Sequence, residues 1–379
     1  PWGNNFLTLD QIGKEKFYPL ELLFCVDCSL SQLSYTVNKE IMFSDHTYLS
    51  GMTSSLDNHF KEISIFLNNN FNKDKKNKKI LDIGSNDGTF LKHFKNLGWE
   101  ILGVESSEKI SKIANKNNIK TINKFFNYEL SEEINSHFDF INASGVFFHL
   151  EELHSFTKGV KKLLSKNGVF VIQFLYMKQI IKNLAFDQIY HEHLLYYNLE
   201  TLNYLLSLHG MEIFDANLSD IHGGQMNAFV SHSGTFEKSN NLKNILELER
   251  VDKANSKSTY VNFAKNSKKL KEKNLSYLDN ALTNNKKIFG LGAPVKGNTL
   301  INYFGITKKM IPKLLEINPL RKNLYAPGSH IPVIMESEEK KIPDIYYVLA
   351  WNFKEEILKK NKNLVERGTE FYFPIEVKY

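Results

Sequence analysis

An α/β fold on parallel sheets is what this sequence predicts, from three observations. From Lys79 to about Val230, apolar strand-like runs alternate with helix-period segments, the order that lays parallel strands side by side under crossover helices. A glycine turn, Gly84 to Gly88, follows the first run, and a second strand, glycine turn and helix begin near Lys286.

The elements follow in order. The stretch to about Phe60 is short of helical periodicity, is rich in aromatic and turn residues, and reads as a small separate lobe. Asn68 to Lys79, NNNFNKDKKNKK, carries almost no core-forming residues and marks the clearest boundary. Strands are expected at KKILDIG, WEILGVE, IKTIN, FDFINAS, GVFVIQFLY, MEIFDAN and QMNAFVSH, with helices at EELHSFTKGVKKLLS and LETLNYLLSLHG, a doubly wound order. Glu237 to Asn284 is polar and lysine-rich, with apolar residues recurring at three and four, so one long amphipathic connecting helix is expected. KKIFGLG, KLLEINP and PDIYYVLAWN then read as strands and PVKGNTLINYFG as a helix. The expected domains are 1–65, 66–236 and 237–379.

With 379 residues, 42% hydrophobic and 13% aromatic, the chain can bury two or three cores and is neither disordered nor fibrous. Lys+Arg 48 against Asp+Glu 42 gives +6, and Lys73, Lys75, Lys76, Lys78 and Lys79 read as a solvated linker run. The balance suits an anionic substrate. Nucleic acid is not expected, because no basic and aromatic interleaving forms a stacking platform. Neither an apolar run of about 18 residues nor a leader is visible, so no membrane span and a cytoplasmic protein are expected. The chain begins at Pro1 rather than Met, and an earlier N-terminus is expected.

In ILDIGSNDGTF, Ile80 to Phe90, a strand ends in an acid and a glycine, and a second glycine opens a helix. Glycines let backbone approach a ligand closely, and helix-start amides favour an anionic group. By itself such a turn also serves a dinucleotide, or only packs a helix on a strand. Glu105 ends the next strand, where an acid accepts ribose hydroxyls, and D-x-G-x-x-x-G departs from the dinucleotide G-x-G-x-x-G. S-adenosylmethionine is therefore expected, with Asp82, Gly84, Asn86, Asp87, Gly88 and Glu105 around it and Asn142, Ala143 and Ser144 beside the methyl donor.

Asp187 to His193, DQIYHEH, is the densest polar cluster and follows the fifth strand. Histidine suits proton transfer near neutrality. A His-x-His pair with an acid can instead hold metal, but no third ligand is evident nearby. One of the two histidines is expected to be structural, since alternate residues face opposite ways. His149, after the fourth strand, can converge on the same pocket, or sit satisfied in the core. His222-Gly223-Gly224-Gln225 is a further glycine turn, or a hairpin loop.

These strings resemble the nucleotide-sugar C-methyltransferases of branched deoxysugar biosynthesis, over essentially the whole chain. ILDIGSNDGTFL resembles the family's glycine motif, DQIYHEHLLYYNLETL its catalytic segment and IHGGQMNAFV its histidine-diglycine strand; GLGAPVKGNTLINYFGI, EINPLRKNLYAPGSHIPV and YYVLAWNFKEEI resemble its C-terminal domain. The resemblance implies a class I Rossmann-like methyltransferase domain, flanked by a small zinc-binding lobe and a C-terminal Rossmann-like domain. It implies that a 4-keto-6-deoxy sugar on a nucleoside diphosphate loses a proton beside its ketone, and that the enolate takes the methyl group. His193 carries over as the base, Tyr190 and Glu192 as its partners, His149 as a second histidine facing the sugar, and Tyr48 as a tyrosine closing the site. His222, Gly223 and Gly224 carry over to the substrate.

The family lobe holds zinc with four cysteines. PLELLFCVDCSLSQL matches the second pair, so structural zinc is expected on Cys25 and Cys28, with two ligands before Pro1, or else a chain whose metal has been lost. In the C-terminal domain, Gly290, Gly292, Lys296, Gly297 and Asn298 form a turn that tempts a dinucleotide reading. The resemblance implies instead a surface for the nucleotide end of the substrate, with Lys296 as a point charge on phosphate and Asn302, Asn318, Arg321 and His330 beside it. A monomer is favoured. The alternatives are an O- or N-methyltransferase, an RNA-binding methyltransferase and a binding-only protein.

Overall fold

The computed structural model describes residues 1–43, 51, 54–71, 76–219 and 224–376. Strands β1 (Leu22–Phe24) and β2 (Ser31–Leu33) pair as an antiparallel hairpin. Five strands then lie parallel: β3 (Lys79–Ile83), β4 (Glu100–Val104), β5 (Thr121–Ile122), β6 (Phe138–Ser144) and β7 (Leu164–Leu175). The chain returns through β8 (Leu195–Tyr196), and then β9 (Met211–Ser219) and β10 (Gln225–His232) add antiparallel strands to give the order β5-β4-β3-β6-β7-β10-β9. A five-stranded parallel sheet follows, from β11 (Ile288–Leu291), β12 (Leu314–Glu316), β13 (Val333–Met335), β14 (Ile345–Val348) and β15 (Glu370–Tyr372), in the order β13-β12-β11-β14-β15.

Parallel strands are covered on both faces, and β6 accordingly buries six of its seven residues. Both large sheets run outward in two directions from their first strand, β3 or β11, so the glycine turn that follows it lies where the strand order reverses. That crevice at the carboxyl edge is where open α/β sheets bind ligands.

Three expectations change. The N-terminal lobe is not separate: β8, directly after Asp187–His193, completes its sheet by pairing with β2. The stretch from Asn68 to Lys79 does contribute to the core. Helix Ser54–Asn70 enters it, and Phe71 meets Phe140, Phe214 and Phe229 at ring separations of 6.3, 5.8 and 6.3 Å. The connecting segment is two helices, Asn240–Val251 and Lys257–Thr283, broken where Lys253 turns left-handed (φ 51°). Tertiary polar contacts set the break: Glu249 accepts from the Tyr176 hydroxyl (2.8 Å) and the Leu199 amide (2.7 Å), and the Ala254 carbonyl accepts from Asn198 (3.4 Å).

Candidate active site

After β3 the chain turns through Gly84 (φ 72°), Asn86 (φ 50°) and Gly88 (φ 82°) into helix Thr89–Asn96. Gly84 is obligatory on two counts, since its backbone is left-handed and a Cβ there would lie 2.4 Å from Val146 Cγ2. The Gly84 and Ser85 amides donate to the Val104 carbonyl (2.8 and 3.0 Å), and the Asn86 amide donates to Glu105 Oε2 (3.0 Å). Glu105 also accepts from the Ser107 amide (2.8 Å); burial pushes its carboxyl up while these amides pull it down. The turn and the acid therefore meet at one sheet edge.

Beneath them, the Asn142 amide donates to Asp82 Oδ1 (2.7 Å), and the Ser144 hydroxyl donates to Asn142 Oδ1 (2.9 Å). Burial, with Glu105 adding to it, pushes Asp82 up to about 7, against the pull of Asn142. Two expected cofactor residues face elsewhere. Ala143 points into the core, and Asp87 accepts from the Thr89 hydroxyl (2.6 Å) and amide (3.2 Å) and from the Gly51 amide (3.0 Å). Helix capping and alternation along a strand decide these orientations.

The Asp187–His193 segment packs against the one-turn helix Phe147–His149, which follows β6. The His149 and His193 rings lie 5.2 Å apart, and Tyr190 lies 3.8 Å from His193. His193 Nδ1 donates to the Gln188 carbonyl (2.9 Å), and His149 Nδ1 donates to the Glu192 carbonyl. A carbonyl only accepts, so each ring carries a proton on Nδ1, and in the neutral form the basic lone pair is then on Nε2. Glu192 Oε1 accepts from the Trp2 indole (2.6 Å); burial pushes this carboxyl up to about 7, with Trp2 opposing. Burial, then the Glu192 charge, push the Tyr190 hydroxyl well above its ordinary range, so it remains a donor. His191 turns away, its Nε2 3.4 Å from the Tyr18 carbonyl. The two histidines of the pair thus serve different environments. Tyr48, His222 and Gly223 lie outside the described residues. Gly224 is described, and a Cβ there would lie 2.5 Å from Gln179 Cγ.

The C-terminal turn is built differently. Glu316 ends β12 as Glu105 follows β4, but its carboxylate accepts from the amides of Ala293 (2.8 Å), Ile317 (2.8 Å) and Asn318 (2.9 Å) and pairs with Arg321 (3.4 Å). That acid is saturated from within the fold, which removes the dinucleotide reading. Several expected substrate residues have internal partners. Asn298 donates to the Gly3 carbonyl (2.7 Å), Asn302 to Asn298 and Pro327 (2.7 and 3.0 Å), and Arg321 to the Ala293 carbonyl. His330 pairs with Glu15 (2.5 Å), and Asn318 caps the Leu320 amide (3.0 Å). Lys296 Nζ lies 3.9 Å from the centre of the Trp351 ring; burial pushes it down to about 8, against the Asp187 charge. Trp2 and Trp351 were not among the expected site residues, since their partners Glu192 and Asp187 lie 190 and 164 positions away.

Cys25 and Cys28 bracket the β1–β2 turn, where backbone amides of Cys28 and Asp27 lower the Cys25 thiol. This is half of a tetrahedral thiolate set. Among the described residues, no group of three or more His, Cys, Asp or Glu side chains is arranged to hold a metal ion, and no helix is long and apolar enough to cross a membrane.

Family models match three consecutive parts of the chain: a putative zinc binding domain over 1–43, a methyltransferase domain over 57–215 and a C-methyltransferase C-terminal domain over 220–376. C-methyltransferase NovU of Streptomyces niveus is 27% identical over 378 residues, 98% of this chain and 90% of that protein. The ubiquinone biosynthesis O-methyltransferase of Pelagibacter ubique (strain HTCC1062) is 32% identical over 101 residues, only 26% of this chain and 42% of that protein. The magnesium protoporphyrin IX methyltransferase of Synechocystis PCC 6803, solved with bound S-adenosylmethionine, overlays with a TM-score of 0.37 at 12% identity, over 47% of this chain and 79% of that one. The seven-stranded sheet with its glycine turn and Glu105, together with the methyltransferase-domain match, define an S-adenosylmethionine-dependent methyltransferase. The C-terminal domain match and the near full-length similarity to NovU narrow this further and support a C-methyltransferase.

Proposed function

We propose that this enzyme methylates, at carbon, a 4-keto-6-deoxy sugar carried on a nucleoside diphosphate. The observation that carries the reading is the pair of imidazoles, His149 and His193, each held by a backbone carbonyl in the tautomer that is basic at Nε2. A carbon acid needs such a base, whereas a heteroatom acceptor is already nucleophilic. His193 Nε2 takes the proton from the carbon beside the ketone, and the C–H electron pair passes into the enolate. Tyr190, held protonated by burial, donates to the enolate oxygen, and Glu192, its carboxyl pushed up to about 7, orients the pair. Bound S-adenosylmethionine supplies an electrophilic methyl group, which the enolate carbon takes as the bond to sulfur breaks. Glu105 and the Gly84–Gly88 turn hold its nucleoside end.

His149 faces the sugar, and Tyr48, His222 and Gly223, which lie outside the described residues, are the further substrate residues that the family resemblance assigns. Cys25 and Cys28 supply two ligands of a structural zinc, and the enzyme acts as a cytoplasmic monomer. The test is mass spectrometry of nucleoside-diphosphate 4-keto-6-deoxy sugars incubated with methyl-deuterated S-adenosylmethionine. Label on ring carbon, absent with His193→Ala, is the expected result. Label on oxygen, or transfer undiminished in that variant, overturns the carbon mechanism.

A further inference from the structure

The orientation of His193 depends on the Gln188 carbonyl, and that carbonyl belongs to a turn anchored from another domain. Gln188 ends the one-turn helix Phe186–Gln188, which also contains Asp187. Asp187 is 0% exposed, and its Oδ2 accepts from the indole Nε1 of Trp351 (2.7 Å), 164 residues away in the C-terminal domain. Trp351 is likewise 0% exposed and follows β14 directly. Lys296 lies over its ring, fixing the indole plane by a cation–π contact and placing a positive charge near the carboxylate. The same turn is packed from that side by Phe186 against Phe304, with ring centres 5.3 Å apart.

A buried carboxylate needs partners, and Asp187 has the Trp351 indole N–H as its hydrogen-bond donor with the Lys296 charge nearby. Moving Asp187 moves Gln188, and with it the acceptor that keeps the His193 proton on Nδ1. We propose that Trp351 is a positioning residue for this reaction: through Asp187 it holds the turn whose Gln188 carbonyl fixes the tautomer of His193. The C-terminal domain thereby acts on the chemistry without touching the reacting atoms. This rests on His193 being the base.

The test uses the full chain labelled with nitrogen-15 in histidine, with the His193 signals identified by their loss in His193→Gln. In the wild type, Nδ1 is expected protonated and Nε2 unprotonated near neutral pH. In Trp351→Phe, which keeps an aromatic ring but lacks the N–H, the tautomers mix and kcat falls by about 100-fold, the scale of a small misplacement of a catalytic group. Affinity for S-adenosylmethionine stays unchanged. Asp187→Asn still accepts the indole N–H and keeps kcat within about 3-fold, whereas Asp187→Ala loses it as Trp351→Phe does. These two carry the same decision should Trp351→Phe not fold. A wild-type His193 protonated at Nε2, a folded Trp351→Phe with wild-type kcat, or equal kcat in the two Asp187 variants overturns the proposal. Turnover that survives in His193→Gln instead removes the base assignment and leaves the tautomer measurement standing, so the two failures are distinguishable.

Discussion

Tyr190 lies against His193 with ring centres 3.8 Å apart and planes at 41°, which in the proposed mechanism sets the hydroxyl beside the base. Tyr190→Phe keeps this contact and removes only the hydroxyl. Its kcat is expected to fall by about 100-fold, as for loss of one preorganised donor, with S-adenosylmethionine affinity intact. Steady-state kinetics with calorimetric titration of the cofactor checks this. A weakened cofactor affinity at constant kcat would place the hydroxyl in binding instead.

Glu105 joins the glycine turn to the expected ribose position through the Asn86 amide (3.0 Å). Hydrogen bonds to a charged group are worth about 1.5–3 kcal/mol, so Glu105→Ala should weaken S-adenosylmethionine by at least about 10-fold. Titration calorimetry on the folded variant measures it. An unchanged dissociation constant would place the ribose elsewhere.

Gly84→Ala forces a Cβ into a left-handed position 2.4 Å from Val146 Cγ2. The backbone strain alone is about 1–2 kcal/mol, before Val146 is displaced. Denaturant unfolding should show a loss of at least that size, together with weaker cofactor binding. Gly98→Ala, also left-handed but with no atom within 4 Å of its Cβ, separates the two contributions.

Asp82 and Glu192 both hold their protons more tightly when folded, pushed up to about 7 chiefly by burial. Between the unfolded carboxylate range near pH 4 and about pH 7 the native state binds more protons than the unfolded chain, so stability falls as pH rises through that window. Asp82→Asn keeps the acceptor for Asn142 and cannot ionise. Urea midpoints measured from pH 4.5 to 8 should decline less steeply in this variant than in the wild type, and parallel slopes would refute the buried-acid origin.

Much of the central sheet was legible because its signals are local. KKILDIG, WEILGVE and FDFINAS are apolar runs bounded by polar or turn residues, and Gly84 and Gly88 mark backbone that only glycine adopts freely. Strands β13 and β15 were missed. They are three residues each, too short to show a period, and form because β12 and β14 offer them an edge. The break at Lys253 escaped for a related reason: the apolar period continues across it, and only the Glu249 and Asn198 partners reveal it.

By itself, the sequence determined the alternation of strands and helices, the cofactor turn with its acid at Glu105, and the concentration of proton-transfer groups in Asp187–His193. Each rests on neighbours a few positions apart, where backbone conformation and side-chain period are written into the chain. Tertiary structure alone decided which of those groups face one another. It turned His193 toward His149 and His191 toward Tyr18, bound Asn298 to Gly3 across 295 positions, saturated Glu316 with its own amides, and set Trp351 against Asp187. A buried polar group must find a partner wherever the fold brings one, and that search is not confined to the local sequence.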